Sequence, residues 1–317
     1  MRRGDVMEAP ASQECKGTCT PKVDISTHPC YSSSAHFRFG RIHVPVAPRC
    51  NIQCNYCIRK FACPNENRPG VTMRVVSPDQ ALSTIRQAVD HDPRLRVLGV
   101  AGPGDALAND ATLATFNLVK DEFPQLTRCI STNGLLLPDR IDEIERAGIT
   151  TLTITMNAVD PEIGEQIYSH VRYKGKTYRG RAAAELLLHN QLQGLREADL
   201  RGMLVKINSV LIPGVNDKHL VEVARVARDH GAYIMNIIPM LPLAKFAHLE
   251  EPSTEMVNQV RKECGEVIKQ FLNCQRCRAD AIGVPGEDGC GTPATPEKVC
   301  IPKFLMQRQD ETSLAAD

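Results

Sequence analysis

The sequence predicts an α/β protein in which a parallel sheet carries its helices on the outside. Apolar or β-branched runs alternate with stretches of helical periodicity from about residue 40 to about residue 270, which is the signature of repeated βα units. Several helical stretches open on a proline in the first turn, at Ser77-Pro78, Leu137-Pro138 and Asp160-Pro161, where the missing N–H costs nothing. A chain of 317 residues with 42% apolar residues can bury one large core or two small ones.

The strands are expected at 42–46, 97–101, 129–132, 152–156, 204–211 and 233–238. The helices between and after them are expected at 78–91, 111–122, 138–147, 160–169 with 180–198, 217–229 and 253–271. Six such units fit a barrel or an open doubly wound sheet, and periodicity alone does not separate the two. Residues 40–271 form this α/β domain. Residues 1–39 and the Gly- and Pro-rich residues 272–317 have weak secondary-structure signals and read as extensions that cannot bury a core alone.

The formal net charge is +1, from 38 basic and 37 acidic residues. That balance gives no support for a nucleic-acid or membrane surface. No run approaches the roughly 18 apolar residues of a membrane span, and the N-terminus has no apolar stretch behind its arginines. A cytoplasmic, monomeric protein is expected. Thirteen cysteines in such a protein need another explanation than disulfides.

Cys50, Cys54 and Cys57 stand on one short loop directly after the first strand. Three thiolates at this spacing can hold three irons of a cubic 4Fe–4S cluster and leave the fourth without a protein ligand. Structural zinc and ordinary electron-transfer clusters fill all four corners. An open iron is a place for a ligand to bind, so the triad argues for catalysis; a zinc site or a chance group of thiols is the bland alternative. This spacing, with Tyr56 just before the third cysteine, resembles that of the radical S-adenosylmethionine (SAM) enzymes. The resemblance implies a partial (βα)6 TIM-like barrel, with the extensions over the barrel mouth and the chemistry at the C-terminal ends of the strands.

Other residues are candidates on their own chemistry. Gly102-Pro103-Gly104-Asp105 follows the second strand, where glycines admit a ligand to the backbone and a carboxylate can accept from an ammonium group. Thr132 and Asn133 end the third strand, Asn157 ends the fourth, and Asn208 lies in the fifth. Singly, each reads as a cap or a satisfied core group; together, at one end of a barrel, they make a SAM pocket. His43 in the first strand and Cys129 in the third would meet in a barrel interior if both point inward. Cys30 and Cys63 are available beside them, and a mixed His/Cys cluster site is the expectation. Cys274 and Cys277 form a C-x-x-C, with Cys264 ten residues earlier. Glu66, close after the triad, is either part of a solvated loop or a carboxylate for proton transfer.

The run from His43 to Gly70, HVPVAPRCNIQCNYCIRKFACPNENRPG, closely resembles the radical SAM proteins of nitrogenase iron–molybdenum cofactor biosynthesis. The likeness continues through Ala101–Asp105, Ser131–Gly134, Thr155–Ala158, Asn208–Asp217, Asn236–Met240 and the closing Cys274-x-x-Cys277, over roughly residues 28–285. Ending at residue 317, the chain is expected to be a minimal form without the further C-terminal domain of many relatives. The resemblance implies that two 4Fe–4S units are fused around a carbide from a SAM methyl group, with a ninth sulfur added. It implies three 4Fe–4S clusters and SAM as cofactors. Cys50, Cys54 and Cys57 would hold the SAM cluster. Cys30, His43, Cys63 and Cys129 would hold a first auxiliary cluster, and Cys264, Cys274 and Cys277 a second. SAM contacts would come from Tyr56, Gly102, Gly104, Asp105, Thr132, Asn133, Asn157, Asn208 and Ile238. The implied partners are cluster donor and acceptor proteins of nitrogenase assembly and a one-electron reductant. Cys15, Cys19, Cys290 and Cys300 have no assignment. Rival expectations are a radical SAM enzyme with auxiliary clusters that modifies a peptide or nucleotide, and a non-catalytic cluster carrier.

Overall fold

A computed structural model describes residues 23–287 except 59, 61, 66, 68–73 and 275. Cys15, Cys19, Glu66, Cys290 and Cys300 therefore lie outside the described residues. In chain order the strands are β1 (Gly40–His43), β2 (Ile52–Cys54), β3 (Leu95–Val100), β4 (Thr127–Thr132), β5 (Ile149–Thr155), β6 (Tyr168–Tyr173), β7 (Lys176–Tyr178), β8 (Leu204–Leu211), β9 (Ile234–Pro239) and β10 (Ile282–Gly283). The helices are α1 (Ser33–His36), α2 (Pro78–His91), α3 (Asp110–Val119), α4 (Leu137–Arg146), α5 (Pro161–Ile167), α6 (Gly180–Leu200), α7 (Leu220–Asp229) and α8 (Thr254–Gly265).

The main sheet runs β10-β1-β3-β4-β5-β8-β9. Its six strands from β1 to β9 are parallel and neighbour one another in chain order. A doubly wound sheet would reverse that order at a switch point. A single direction of winding is what a partial barrel requires, so the strand order resolves what periodicity leaves open.

Helix starts form where the local chemistry allows. At α2, Ser77 accepts from the Gln80 N–H and Gln80 returns a bond to the Ser77 N–H, a reciprocal cap with Pro78 in the first turn. Ala81, Ile85 and Ala88 then fall on one face and bury it against the sheet. Burial of a side chain the size of Ile85 contributes about 1.5–3 kcal/mol, more than the roughly 1 kcal/mol of the cap. The cap sets where the helix begins, and packing stabilises it.

The strands alternate. Leu98, Ile130, Leu152, Ile154, Val205 and Ile207 face the helices in the main apolar core. The opposite face is polar and buried: Ser131, Thr153 and Lys206 lie in register across β4, β5 and β8. Thr155, Asn208 and Asn236 form the next row. This interior is a polar lumen, unlike the branched apolar filling of a closed TIM barrel.

Three expectations are corrected. The helix expected over 160–169 ends at Ile167, because Tyr168–Tyr173 form a strand paired with β2 and β7. The helix expected over 253–271 ends at Gly265, and Gln270 instead bridges to Met235 of β9. The first strand ends at His43. The described parts of the extensions cover the lumen at the N-terminal ends of the strands. Tyr31 packs on Leu204, Ile234 and Phe271, and its hydroxyl donates to the carbonyl of Leu152 at 2.5 Å. β10 closes antiparallel on β1.

Candidate active site and cluster-binding lumen

The triad loop is held from two sides. On one side β2, which ends at Cys54, pairs antiparallel with β6 through Ile52–Val171, Gln53–His170 and Cys54–Tyr168. The Cys57 N–H donates to the Cys54 carbonyl at 3.1 Å. The Gln53 side-chain amide donates to the carbonyls of both Cys54 and Cys57, at 2.9 and 2.8 Å. On the other side the loop after β3 grips the segment before Cys50. The Gly104 N–H donates to the Ala47 carbonyl at 2.6 Å and the Asp105 N–H to the Arg49 carbonyl at 2.8 Å. A Cβ on Gly104 would lie 2.6 Å from the Arg49 carbonyl carbon and nearer still to its oxygen, so only glycine permits this approach.

The expected SAM residues gather at the same end of the barrel, with several side chains already committed. Asp105 is buried and accepts from the N–H groups of Leu107, Ala108 and Asn133 and from the Thr132 hydroxyl. Burial raises its pKa, and these hydrogen bonds oppose the shift. It acts as a clamp between the strand ends, so the acceptor role toward an ammonium group expected for it falls on a carboxylate whose two oxygens are engaged. Asn133 donates to the Asn51 side chain at 2.6 Å, and its amide nitrogen lies 3.7 Å from the Cys50 sulfur. Asn157 donates to the Tyr56 hydroxyl at 2.7 Å and accepts from the Val210 N–H. Burial pushes the Tyr56 phenol well up, so it stays protonated. Ile238 shares an apolar cluster with Tyr56, Cys54 and Cys57. Asn208 accepts from Asn236 at 3.1 Å. Gly102 abuts Asn67, whose amide donates to the Ala101 carbonyl at 2.5 Å.

Sequence reasoning passed over Asn190, Gln191 and Asn216. Gln191 donates to the carbonyls of Asn133 and Thr155, and Asn190 to that of Leu135. Asn216 donates to the carbonyls of Asn157 and Val210. The available signal was polar residues on the buried stripe of α6, which reads Leu187, Asn190, Gln191, Gly194, Leu195.

Deeper in the lumen, His43, Gly99 and Cys129 lie in register across β1, β3 and β4. The His43 Nδ1 lies 3.1 Å from the Arg278 carbonyl. A carbonyl only accepts, so Nδ1 carries the proton, and in the neutral ring Nε2 is then the nitrogen that can coordinate. A Cβ on Gly99 would stand 2.9 Å from the His43 ring and 3.2 Å from Nε2, so the missing side chain is what lets the imidazole lean across β3 toward β4. Cys63 hangs from the loop after β3, its N–H donating to the Pro103 carbonyl at 2.8 Å.

At the covered end Cys30, Cys274 and Cys277 line one cavity with Arg41, Lys206 and Arg276, and among the described residues no carboxylate is in the lining. Arg41 is fully buried, and its Nη2 lies 3.2 Å from the Cys277 sulfur. Lys206 lies over the rings of Tyr31 and Phe271, at 5.4 and 5.5 Å. Burial pushes the Cys30 thiol up to about 12, against the pull of Lys206 and Arg41. At about 40 Å³ the cavity admits a water or two, so a larger occupant must spread these side chains. Cys30 thus keeps company with the C-x-x-C pair and not only with the His43 row where it was expected. Cys264 does not reach the cavity: it sits on α8 in the main apolar core beside Val260 and Ile268, and burial pushes its thiol up to about 12. Among the described residues no three His, Cys, Asp or Glu side chains converge on one metal ion. Thiolates of a cubane each take a different iron, so they need not converge.

Residues 44–227 match the family model of the Radical SAM superfamily. The chain is 40% identical over 293 residues to the FeMo cofactor biosynthesis protein NifB of Methanocaldococcus infernus, covering 92% of this chain and 93% of that one. The chain belongs to the NifB family of radical SAM proteins. It is also 47% identical over 268 residues to NifB of Chlorobaculum tepidum, matching 84% of this chain but spanning only 63% of that relative. A radical SAM methyltransferase from Sphaerobacter thermophilus overlays with a TM-score of 0.52 at 19% identity, covering 80% of this chain and 68% of that one; this likeness supports the fold. Membership makes this NifB homologue a radical SAM enzyme, with a 4Fe–4S cluster and SAM as the superfamily's cofactors.

Proposed function

We propose that the chain builds an eight-iron, carbide-containing precursor of the nitrogenase cofactor by fusing two 4Fe–4S units, with a SAM-derived carbon and an added sulfur. The observation that carries this reading is one polar lumen with thiols at both ends and an imidazole between them. A cluster held by Cys50, Cys54 and Cys57 would bind SAM at its open iron and supply the electron for SAM cleavage. The donor set fits such a group: three thiols on one rigid loop, with the Asn133 amide 3.7 Å from the first sulfur.

The two further iron–sulfur units are substrate. His43, Cys63 and Cys129 are assigned to one and Cys30, Cys274 and Cys277 to the other. Arg41, Lys206 and Arg276 offset negative charge at the second place, where burial would otherwise oppose an anion. An imidazole is a neutral ligand and releases iron more readily than a thiolate, which suits a unit that must leave the protein as it is fused. Cluster donor and acceptor proteins of nitrogenase assembly and a one-electron reductant are the partners this reading requires.

The test is anaerobic turnover of loaded protein with SAM and dithionite, following 5′-deoxyadenosine and the eight-iron product. Replacing Cys50, Cys54 and Cys57 together by alanine should abolish both while iron at the other two places survives. Continued SAM cleavage by that triple variant would overturn the reading.

A further inference from the structure

Residues 168–181 read YSHVRYKGKTYRGR: five Lys or Arg and no Asp or Glu, in a chain whose formal net charge is +1. They form the β6–β7 hairpin and the turn into α6. Arg172, Lys174, Lys176, Arg179 and Arg181 are all exposed. Lys174 is paired with Asp139, and Arg181 with Glu162 and Glu185. Arg172, Lys176 and Arg179 make no ion pair among the described residues.

The hairpin is joined to the triad loop by backbone bonds. The Arg172 N–H donates to the Asn51 carbonyl at 2.7 Å, and Tyr168 is the register partner of Cys54. Adjacent strands stand only about 4.8 Å apart, so a protein seated on β6 is one strand away from a triad cysteine. Lysines on an exposed strand edge often serve only to prevent edge-to-edge pairing. Here the charge extends to Arg172 on the central strand β6 and to Arg179 beyond β7, neither of which guards an edge.

We propose that the basic β6–β7 hairpin is the docking surface for an acidic one-electron carrier protein that reduces the triad cluster. The proposal rests on the reading that Cys50, Cys54 and Cys57 hold a cluster requiring one electron per SAM cleaved. Per turnover the carrier loses one electron and the cluster gains one, which it passes to SAM; no proton or group moves at the hairpin. Complementary charge raises the encounter rate by roughly 10- to 1,000-fold and is screened by salt over about 8 Å at physiological ionic strength.

The experiment uses the cluster-loaded full chain with Arg172, Lys176 and Arg179 all replaced by Glu, reduced either by dithionite or by an acidic flavodoxin in its hydroquinone form. 5′-Deoxyadenosine is one readout; the other is the dissociation constant of flavodoxin for the chain before cluster loading, measured by titration calorimetry, which the triple variant should raise about tenfold or more. With dithionite, which needs no docking, the triple variant should match the parent. With flavodoxin its rate should fall about tenfold or more, and the steep loss of rate with added salt expected of the parent should flatten. An unchanged flavodoxin-driven rate would overturn the proposal, as would a parent that flavodoxin cannot reduce. An equal loss with dithionite would show the hairpin to be only a brace for the triad loop, also against it. A nucleic acid or an assembly protein lost from the variant while flavodoxin still works would mean a different partner. Failure of the parent to cleave SAM with dithionite would instead sink the assignment of the triad.

Discussion

Gly99 stands between His43 and Cys129 in a row across three strands, and what it lacks is what matters. A methyl group there meets the His43 ring at 2.9 Å, and the ring cannot swing aside without losing its bond to the Arg278 carbonyl. Gly99→Ala should cost about 1–3 kcal/mol as overpacking and displace Nε2. In loaded protein the strongly coupled nitrogen expected in pulsed EPR should weaken or vanish, as it should in His43→Ala. Iron content should fall by at most one cluster, and SAM cleavage at the triad should persist. A nitrogen signal unchanged in both variants would return His43 to the role of a hydrogen-bonded core residue.

The loop after β3 acts as an element, and its work is done by backbone. Gly104 and Asp105 donate N–H groups to Ala47 and Arg49, while the Asp105 carboxylate ties the ends of β3 and β4 together. A side chain at Gly104 would separate this loop from the segment that leads into Cys50. Gly104→Ala should therefore abolish 5′-deoxyadenosine formation and reduce iron at the triad, with the far-ultraviolet circular dichroism of the barrel retained. The same substitution at Gly265 on α8, where a Cβ meets only the Gln270 side chain at 3.7 Å, should leave both iron content and cleavage intact. Full activity in Gly104→Ala would show that the two loops can part without consequence.

For the whole molecule, the arrangement of donors along one lumen predicts how iron divides. Fully loaded protein should hold close to three 4Fe–4S units, roughly twelve irons. Replacing Cys30, Cys274 and Cys277 together by alanine should remove about four of them, and Cys264→Ala should remove none, because Cys264 sits in the apolar core away from the cavity. Inductively coupled plasma measurement on anaerobically loaded protein checks both. Loss of a full cluster in Cys264→Ala alone would overturn the division drawn here.

The α/β class, the six parallel strands and most helix starts were legible in the sequence, because alternating burial and first-turn prolines are local signals. So was the grouping of Cys50, Cys54 and Cys57, since three thiols on one loop need no tertiary structure to be brought together. The β2–β6–β7 ribbon escaped: β2 is three residues long inside a cysteine loop, and β6 follows α5 without a break. Such pairing is decided by residues more than a hundred positions apart. The association of Cys30 with Cys274 and Cys277 was hidden for the same reason, as was the burial of Cys264 among apolar side chains. The chain order states which donors exist and which share a loop. Which donors from opposite ends of the chain face one another was decided by the closing of β10 on β1 and the seating of Tyr31 under β8 and β9, contacts whose side chains are ordinary in sequence and acquire meaning only once the barrel has wound.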